Sequence, residues 1–273
     1  MKLSVLICTM DERIRRVPDM LPAFRDDVEY VVSWQYTDFS VLDMLPAVLQ
    51  SRTDVTICPL PGRGLSLNRN NALEHAQGDL CLIADDDMRY CDDAFDKILH
   101  TFEEHPDVDI AQFQVKSYDG HWLKNYASQS YVFRPDDARC VYPSSVELVL
   151  RREAWRRGLR FNPHLGLGAA CLTAGEEEVL LADAVALGMK VCYFPCYIAR
   201  TDAVCTGGRF PHDAGVQRAK GAVFYRRLGL WEARWRCVRE ALSWGVRKGC
   251  NPFLLWYHMM QGIRYIRKAD ENR

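Results

Sequence analysis

Short, uninterrupted apolar runs are the feature that most limits what this sequence can fold into. Residues 3–8, 28–33, 55–58 and 80–84 are such runs, each with almost no polar side chain. Strands that are buried on both faces of a parallel sheet have this pattern, because neither face meets water. Helical patterns lie between the runs. The sequence therefore predicts strands alternating with helices around a parallel α/β sheet.

The remaining pattern extends this alternation. A helix is predicted at residues 70–76 with Gly78 as its C-cap, and another at residues 95–102 with Asp92 or Asp93 as its N-cap. Further strands are predicted at residues 109–115, 146–150 and 190–194, the last of them stopped by Pro195. A further helix is predicted at residues 177–187, closed by Gly188.

The charge of the chain is unevenly distributed. Residues 214–273 contain 13 Lys or Arg and 4 Asp or Glu, a net charge of +9, whereas the whole chain carries −1. We therefore predict two parts: an α/β domain at 1–205 and a basic helical region at 206–273. The whole-chain charge gives no reason to expect nucleic-acid binding. The basic region indicates contact with something anionic.

Aromatic and basic residues occur together in the C-terminal region. Residues 228, 231, 235, 238 and 242 share one face of a predicted helix, with arginines around it. This combination suits a helix lying on an anionic membrane surface. The alternative is a helix that packs on the α/β domain and keeps a solvated basic side.

The cysteines and the apolar segments predict the compartment. The sequence has 11 cysteines, no C-x-x-C pair and several cysteines within apolar runs, so buried, reduced thiols are expected at Cys8, Cys81, Cys171 and Cys192. No leader-like segment and no apolar stretch of about 18 residues occurs. We expect a cytoplasmic protein without a membrane span.

Three adjacent carboxylates, Asp85, Asp86 and Asp87, directly follow the fourth apolar run. Neighbouring carboxylates repel one another, and a divalent cation with oxygen ligands, such as Mg²⁺ or Mn²⁺, would neutralise them. The alternative is a solvated acidic loop. The position at the end of a buried strand favours a metal site, because ligands of parallel sheets bind beyond the carboxyl ends of the strands.

Two other polar segments are candidates for chemistry. Residues 62–66 form a glycine-containing loop before a helix that carries Arg69; it can hold an anionic or ribose-bearing ligand, or be an ordinary capped helix start. Glu176, Glu177 and Glu178 open another helix. Acidic residues are common there on dipole grounds alone. The functional interpretation is a general base that accepts a proton from an attacking hydroxyl.

The order of these motifs resembles the family 2 glycosyltransferases of the GT-A fold, over about residues 1–205. More narrowly, it is similar to bacterial enzymes that build capsular and O-antigen polysaccharides. The resemblance is carried by Thr9 at the end of the first strand, Gly64-Leu65-Ser66, Arg69-Asn70, Gly78-Asp79, Asp85-x-Asp87, Phe161-Asn162-Pro163, Gly166 and Gly168, Gly175-Glu176-Glu177, and Pro195.

The resemblance implies a GT-A-type, mostly parallel, Rossmann-like sheet flanked by helices, with a helical C-terminal appendage. It implies an inverting transfer from a nucleoside-diphosphate sugar, with a UDP-sugar favoured, to a saccharide or lipid-linked acceptor at the inner face of the membrane. Asp85 would touch the ribose or sugar, Asp87 would ligate Mn²⁺ or Mg²⁺, and Glu177 would be the base, with Glu176 as runner-up. The implied donor-binding residues are Thr9, Gln35, Ser66, Arg69, Asp85 and Asp86.

Three positions depart from the family pattern. Gln35 follows the second apolar run where the family commonly has an acidic residue, and the usual Glu-Asp pair reads Glu-Glu. No His lies near Arg200-Thr201, so His212 is the candidate third metal ligand, beside Asp85 and Asp87.

Two other functions remain open. A sugar-phosphate nucleotidyltransferase would need a Gly-rich basic loop directly after the first strand, and residues 9–16 contain no Gly. An inactive sugar- or nucleotide-binding scaffold would have ordinary residues in place of the acidic motifs.

Overall fold

The computed structural model describes residues 1–137, 142–202 and 206–271. The strands are β1 Leu3–Met10, β2 Val28–Tyr36, β3 Val55–Pro61, β4 Leu80–Asp85, β5 Arg89–Tyr90, β6 Ile110–Ser117, β7 Tyr131–Val132, β8 Leu148–Arg151 and β9 Val191–Thr201. The α-helices are α1 Ala47–Ser51, α2 Leu65–His75, α3 Ala94–Glu104, α4 Arg152–Arg156, α5 Glu176–Ala186, α6 Ala214–Leu228, α7 Leu230–Lys248 and α8 Pro252–Glu271. Short 3-10 helices lie at Asp11–Met20, Phe39–Met44, Ser145–Glu147 and Thr206–Arg209.

One mixed sheet organises the catalytic part of the chain. Its order is β3-β2-β1-β4-β8-β6-β9-β5, and β7 pairs with β9. The four predicted apolar runs form the parallel half, β3-β2-β1-β4, in neighbouring positions. Strand β8 is antiparallel to both β4 and β6, whereas β6 and β9 are parallel. The predicted α/β fold with flanking helices is confirmed.

Residue alternation explains why these runs are apolar throughout. In β1, Leu3, Val5 and Ile7 belong to one core cluster, while Leu6 and Cys8 belong to the cluster on the other face of the sheet. Both faces are covered, so polar residues are rare in the strand, and the buried Ser4 hydroxyl is hydrogen-bonded to Glu29. The parallel register also pairs Cys8 with Asp85 and Met10 with Gln35, which brings the polar strand ends to one edge.

Two predicted stop signals, Gly78 and Pro195, are wrong, and α2 begins at Leu65, five residues before its predicted start. Helix α2 ends at His75 with Ala76 as its C-cap, and Gly78 instead lies where a Cβ would be 2.8 Å from the Lys2 carbonyl oxygen. Pro195 does not stop β9, which continues to Thr201. The β6–β9 register shifts on either side of Gln114, and this irregularity accommodates a residue that cannot donate to the ladder.

The C-terminal helices pack on the catalytic part through α6. A Cβ at Gly221 of α6 would lie 1.9 Å from the Met259 carbonyl oxygen, and one at Gly262 of α8 would lie 1.8 Å from that of Arg218. The backbones of α6 and α8 therefore touch at two points that admit only glycine. Val223 of α6 packs in turn with Val179 of α5 in one apolar cluster. The predicted domain boundary at residue 205 lies outside the described residues.

The predicted thiols are free. Cys8, Cys81 and Cys192 are buried and Cys171 is half-buried. Burial raises the pKa of both Cys8 and Cys81 to about 12, so these thiols stay protonated at neutral pH. Among the described helices, none is both long enough and apolar enough to cross a membrane.

Candidate active site

Two glycine-containing loops meet at the carboxyl edge of the sheet. The Leu65 N–H donates to the Leu167 carbonyl oxygen (2.8 Å), and the Ser66 hydroxyl donates to the Leu165 carbonyl oxygen (2.7 Å). A Cβ at Gly168, which has φ +84°, would lie 3.0 Å from the backbone nitrogen of Gly64. Ser66 is buried. Its observed contact is thus with the opposite loop.

Arg69 is the centre of the site. Its side chain is buried, and Nη1 donates to Glu176 Oε1 (3.1 Å) and to Glu177 Oε1 (3.0 Å). Its Nη2 donates to the Ser145 hydroxyl (2.6 Å) and lies 3.7 Å from Asp85 Oδ1. One guanidinium therefore joins the two acidic segments, which lie about ninety residues apart in the sequence. This link has no sequence signature.

The strand-end triplet, Asp85, Asp86 and Asp87, divides into two environments. Asp86 is buried and accepts hydrogen bonds from the Thr9 hydroxyl (2.6 Å) and from Arg13 Nε (2.8 Å). Asp85 and Asp87 face open space instead, and the Thr201 hydroxyl donates to Asp87 (2.9 Å). The predicted donor contacts Thr9 and Asp86 are therefore bonded to each other.

The helix-start triplet, Glu176, Glu177 and Glu178, divides in the same way. Glu176 is buried beneath the glycine loop, where a Cβ at Gly166 would lie 3.0 Å from its carboxyl carbon. Glu178 pairs with Arg227 (3.2 Å) and with Lys220 (3.8 Å). Because each helical residue turns by about 100°, the three carboxylates point in different directions.

Burial raises the pKa of carboxyls in both triplets. The pKa of Asp85 is raised from 3.8 to about 6, because burial outweighs the opposing charge of Arg69. Burial raises the pKa of Glu176 as well, and the neighbouring Glu177 raises it further. Burial also raises the pKa of Asp87, against the hydrogen bond from Thr201. Shifted carboxyls in a cleft are typical of functional sites.

Two adjoining cavities open at this edge. The strand-end cavity, of about 550 Å³, includes Asp85, Asp87 and Thr201 in its lining. The helix-side cavity, of about 350 Å³, includes Asp85 and Glu177. Both are lined in addition by Tyr142, Ser144, Ser145 and Leu167. Asp85 thus stands at the boundary between two compartments, one beside each carboxylate triplet.

Four predicted donor-binding residues line neither cavity: Thr9, Gln35, Ser66 and Asp86. Gln35 is nevertheless distinctive, because it is buried and its Nε2 has no hydrogen-bond partner among the described residues. A buried donor without a partner is costly and is typical of a group that a ligand completes. Gln35 therefore stays a candidate, at the end of β2.

His212 is not placed beside the aspartates. It is exposed in the turn before α6 and lines neither cavity; Arg209 and Thr201 line the strand-end cavity instead. In residues 1–137, 142–202 and 206–271, no three His, Cys, Asp or Glu side chains are grouped to hold a metal ion. Asp85 and Asp87 supply only carboxylate oxygens. Mg²⁺ commonly takes one or two carboxylates together with substrate phosphates. The residues therefore fit a cation that is held jointly with a diphosphate.

Several lining residues were not predicted. Arg13, Lys124 and Arg209 place cations at the strand-end cavity, and Phe210 and Trp244 place aromatic rings at the helix-side cavity. Arg13 lies three residues after the end of β1, and its closeness to that strand end is a signal that could have been used. The other four come from distant segments, and no local pattern distinguishes them.

The mixed α/β sheet with flanking helices and with carboxylates at the strand ends is consistent with the GT-A fold. The model for Glycosyl transferase family 2 matches residues 4–158, more than half of the chain. The chain therefore belongs to glycosyl transferase family 2. No curated protein sequence matches it.

Solved structures of S. aureus TarS share the fold. TarS 1–349 in complex with UDP-GlcNAc has a TM-score of 0.64 and 13% identity, over 98% of this chain and 92% of that one. TarS 1–349 in complex with UDP has a TM-score of 0.61 and 16% identity, over 91% of this chain and 73% of that one. Against a longer TarS chain the TM-score is 0.60 at 17% identity, over 91% of this chain, which spans only 44% of the TarS chain.

Proposed function

We propose that this protein is an inverting glycosyltransferase that moves a sugar from a nucleoside-diphosphate sugar, with a UDP-sugar favoured, to an acceptor hydroxyl. The observation that carries the proposal is Arg69, which joins the strand-end aspartate Asp85 to Glu177 at the boundary of two cavities. Family membership and the UDP and UDP-GlcNAc bound to structurally similar TarS support it.

The donor diphosphate is assigned to the strand-end cavity. Asp85 and Asp87 would hold Mn²⁺ or Mg²⁺ there together with the diphosphate oxygens. Such a cation stabilises the negative charge of the departing nucleoside diphosphate. Arg209 also lines this cavity and adds positive charge near the phosphates, whereas Arg13 lines it while paired with Asp86. Gln35 would donate its unpartnered Nε2–H to the nucleotide.

Glu177 is assigned as the general base. The acceptor oxygen attacks the anomeric carbon and forms the new glycosidic bond, while the bond to the diphosphate oxygen breaks. The acceptor proton passes to the Glu177 carboxylate, and the nucleoside diphosphate leaves with the bonding electrons. Glu177 is favoured over Glu176, because Glu176 is buried under Gly166.

A panel of UDP-, GDP- and dTDP-sugars with Mn²⁺ tests the reaction through release of free nucleoside diphosphate. Release that rises when an acceptor is added supports transfer. A nucleotidyltransferase would instead form pyrophosphate from a nucleoside triphosphate and a sugar phosphate. The segment after β1 is a 3-10 helix without glycine, which disfavours that function. Nucleotide-sugar binding without any release would indicate an inactive scaffold.

The cellular role that we propose is synthesis of a cell-surface polysaccharide at the cytoplasmic face of the membrane, on a saccharide or lipid-linked acceptor. An exposed stripe on α7 supports membrane contact. Trp231, Trp235, Leu242 and Val246 are between 56% and 88% exposed. They fall within about 60° of one another around the helix. Exposed apolar patches of this kind mark interaction surfaces.

The charge beside the stripe favours anionic lipid as its partner. Arg234 and Arg239 lie on either side of it, and the Arg234 guanidinium is 5.3 Å from the centre of the Trp231 ring. The opposite face of α7 packs through small residues, Ala233, Cys237 and Ala241. Aromatic residues flanked by arginine suit the interfacial region of a bilayer.

Sedimentation with phosphatidylglycerol vesicles tests this contact. We expect salt-sensitive binding that is lost in Trp231→Ser/Trp235→Ser and kept in the control Phe24→Ser, an exposed aromatic residue outside α7. Equal binding to phosphatidylcholine, or no loss in the double variant, would contradict it. Self-association without vesicles that the double variant abolishes would assign the stripe to a second copy of the chain.

A further inference from the structure

The helix-side cavity is built from two parts of the chain. One wall comes from the start of α5 and from the loop at Leu167. The other comes from the C-terminal helices, through Val216 and Lys220 of α6 and Trp244 of α7. Its volume of about 350 Å³ is sufficient for a small-molecule site. The C-terminal helices therefore close the same space into which the assigned base, Glu177, projects.

An aromatic wall and a carboxylate stand together in this cavity. The rings of Phe210 and Trp244 are 5.1 Å apart, and Trp244 Nε1 donates to Glu240 Oε1 (3.0 Å) one helical turn away. Aromatic rings pack well against the C–H face of a pyranose, and a fixed carboxylate accepts hydrogen bonds from its hydroxyls. Aromatic faces beside polar groups of fixed orientation are typical of a selective binding site.

The charges of the two cavities differ. Three cations and three aspartates line the described part of the strand-end cavity. The described lining of the helix-side cavity has two cations, Arg69 and Lys220, and five carboxylates. Arg69 already contacts three carboxylates, and Lys220 lies 3.8 Å from Glu178. An anion in the helix-side cavity would therefore meet an excess of negative charge at close range.

We infer that the helix-side cavity is the acceptor site, that α7 sets its specificity through Trp244 and Glu240, and that it takes an uncharged glycosyl unit in preference to a phosphorylated or uronic-acid unit. The inference rests on the proposed function. The acceptor ring lies against Phe210 and Trp244 with one hydroxyl directed to Glu177. The diphosphate stays on the other side of Asp85. The two substrates are thus separated by charge as well as by position.

The test uses p-nitrophenyl glycosides of glucose, galactose and N-acetylglucosamine against p-nitrophenyl glucuronide, with whichever donor the wild type hydrolyses. These probes share one aglycone, and the glucuronide adds a carboxylate. We expect a neutral glycoside to stimulate nucleoside diphosphate release, and the glucuronide to do so at least about tenfold less efficiently. The inference is overturned if no neutral glycoside stimulates release, or if the glucuronide is as effective.

Variants of α7 separate acceptor binding from chemistry. Trp244→Ala should raise the acceptor KM by about tenfold, which corresponds to about 1.4 kcal/mol of binding, with kcat and donor affinity little changed. Trp244→Phe keeps an aromatic ring at this position, and it replaces Trp244→Ala in the same assay if the alanine variant does not fold. Glu240→Gln should also raise the acceptor KM, whereas Glu232→Gln, exposed on the same helix and lining neither cavity, should not.

Slow hydrolysis of the donor by water needs no acceptor. It therefore distinguishes a failure of the proposed function from a failure of the acceptor-site inference. If the wild type neither binds nor hydrolyses any nucleotide sugar, the proposed function fails. If donor hydrolysis is normal but the acceptor KM is the same in wild type, Trp244→Ala and Glu240→Gln, only the acceptor site is wrong.

Discussion

The strand-end triplet and the helix-start triplet have the same composition of three acidic residues, yet the fold uses them differently. In each, one carboxylate is buried against an arginine: Asp86 against Arg13, and Glu176 against Arg69. The strand-end triplet keeps two carboxylates facing a cavity. In the helix-start triplet, Glu177 also bonds Arg69, and the third carboxylate pairs with basic residues of α6. A run of acidic residues is thus not one functional unit.

The arginines explain the difference. Arg13 is half-exposed and compensates Asp86 directly, which leaves net negative charge at Asp85 and Asp87 for a cation. Arg69 is fully buried and compensates several carboxylates at once. The shared guanidinium holds Glu176 and Glu177 together at the start of α5. In the proposed function the strand-end triplet binds the cation and Glu177 takes the proton.

The largest expected effect comes from Asp87. Asp87→Ala should reduce transfer by about 10³-fold or more, because several kcal/mol of leaving-group stabilisation would be lost. Steady-state kinetics with Mn²⁺ measure it, and circular dichroism checks the fold. The comparison variant is Asp86→Asn, which should lower the unfolding temperature instead, since Asp86 holds Thr9 and Arg13. Full activity of Asp87→Ala, or of wild type in EDTA, would refute the metal assignment.

The next largest loss of activity is expected from Glu177, at the start of α5. Glu177→Gln should lower kcat by about 10²–10⁴-fold while the affinity for the nucleotide sugar stays unchanged, because a general base acts only in the chemical step. Single-turnover kinetics and donor titration measure the two quantities. If Glu176→Gln is impaired and Glu177→Gln is not, the base is the neighbouring residue. If both are active, the base lies outside this helix.

Arg69 links the two triplets, so its removal affects both. Arg69→Lys keeps a positive charge but cannot bond Glu176, Glu177 and Ser145 together. We expect kcat to fall by about 10–10²-fold, in the lower range for a displaced general base. Single-turnover kinetics measure kcat, and thermal unfolding checks that the variant keeps its fold. An unchanged kcat would show that Arg69 does not position the base.

The smallest effect is on the pH dependence of stability. Burial raises the pKa of Asp85 from 3.8 to about 6, so between these values the folded protein binds more protons than the unfolded chain. The free energy of unfolding of the metal-free protein therefore falls as pH rises through this window. Water reaches this side chain, which is 38% exposed, and weakens the effect.

Thermal unfolding of wild type and Asp85→Asn at several pH values measures this dependence. From about pH 5 to pH 7 the wild type should lose more stability than the variant, which has no carboxyl to titrate at this position. Identical pH dependence in the two proteins would show that Asp85 titrates normally in the fold.

Much of the fold was predictable because its parallel half is buried on both faces. Each of the four apolar runs became a strand, and the predicted ends of these four strands lie within three residues of the observed ends. The errors occurred at residue types that are common in more than one structural context. Gly78 looked like a helix cap but is needed for close packing on β1, and Pro195 looked like a stop but sits where the β6–β9 register is irregular.

The acidic residues of the site were also recognisable, because strand ends and helix starts are defined locally. Their partners were not. Nothing in the sequence distinguishes Arg69, bonded to residues about 107 positions away, from an arginine that contacts the nucleotide directly. Thr9 and Asp86 were predicted to bind donor, and the sequence did not indicate that they bond each other.

By itself the sequence determined the elements, their burial pattern and the edge at which the acidic residues gather, because strand and helix periodicity are local properties of the chain. The tertiary structure alone decided which carboxylates are compensated and which face of α7 is exposed. That helix is apolar on two sides. The small residues Ala233, Cys237 and Ala241 pack in the C-terminal core, while Trp231 and Trp235 stay in solvent. Such choices depend on distances between residues far apart in the chain, which no local pattern encodes.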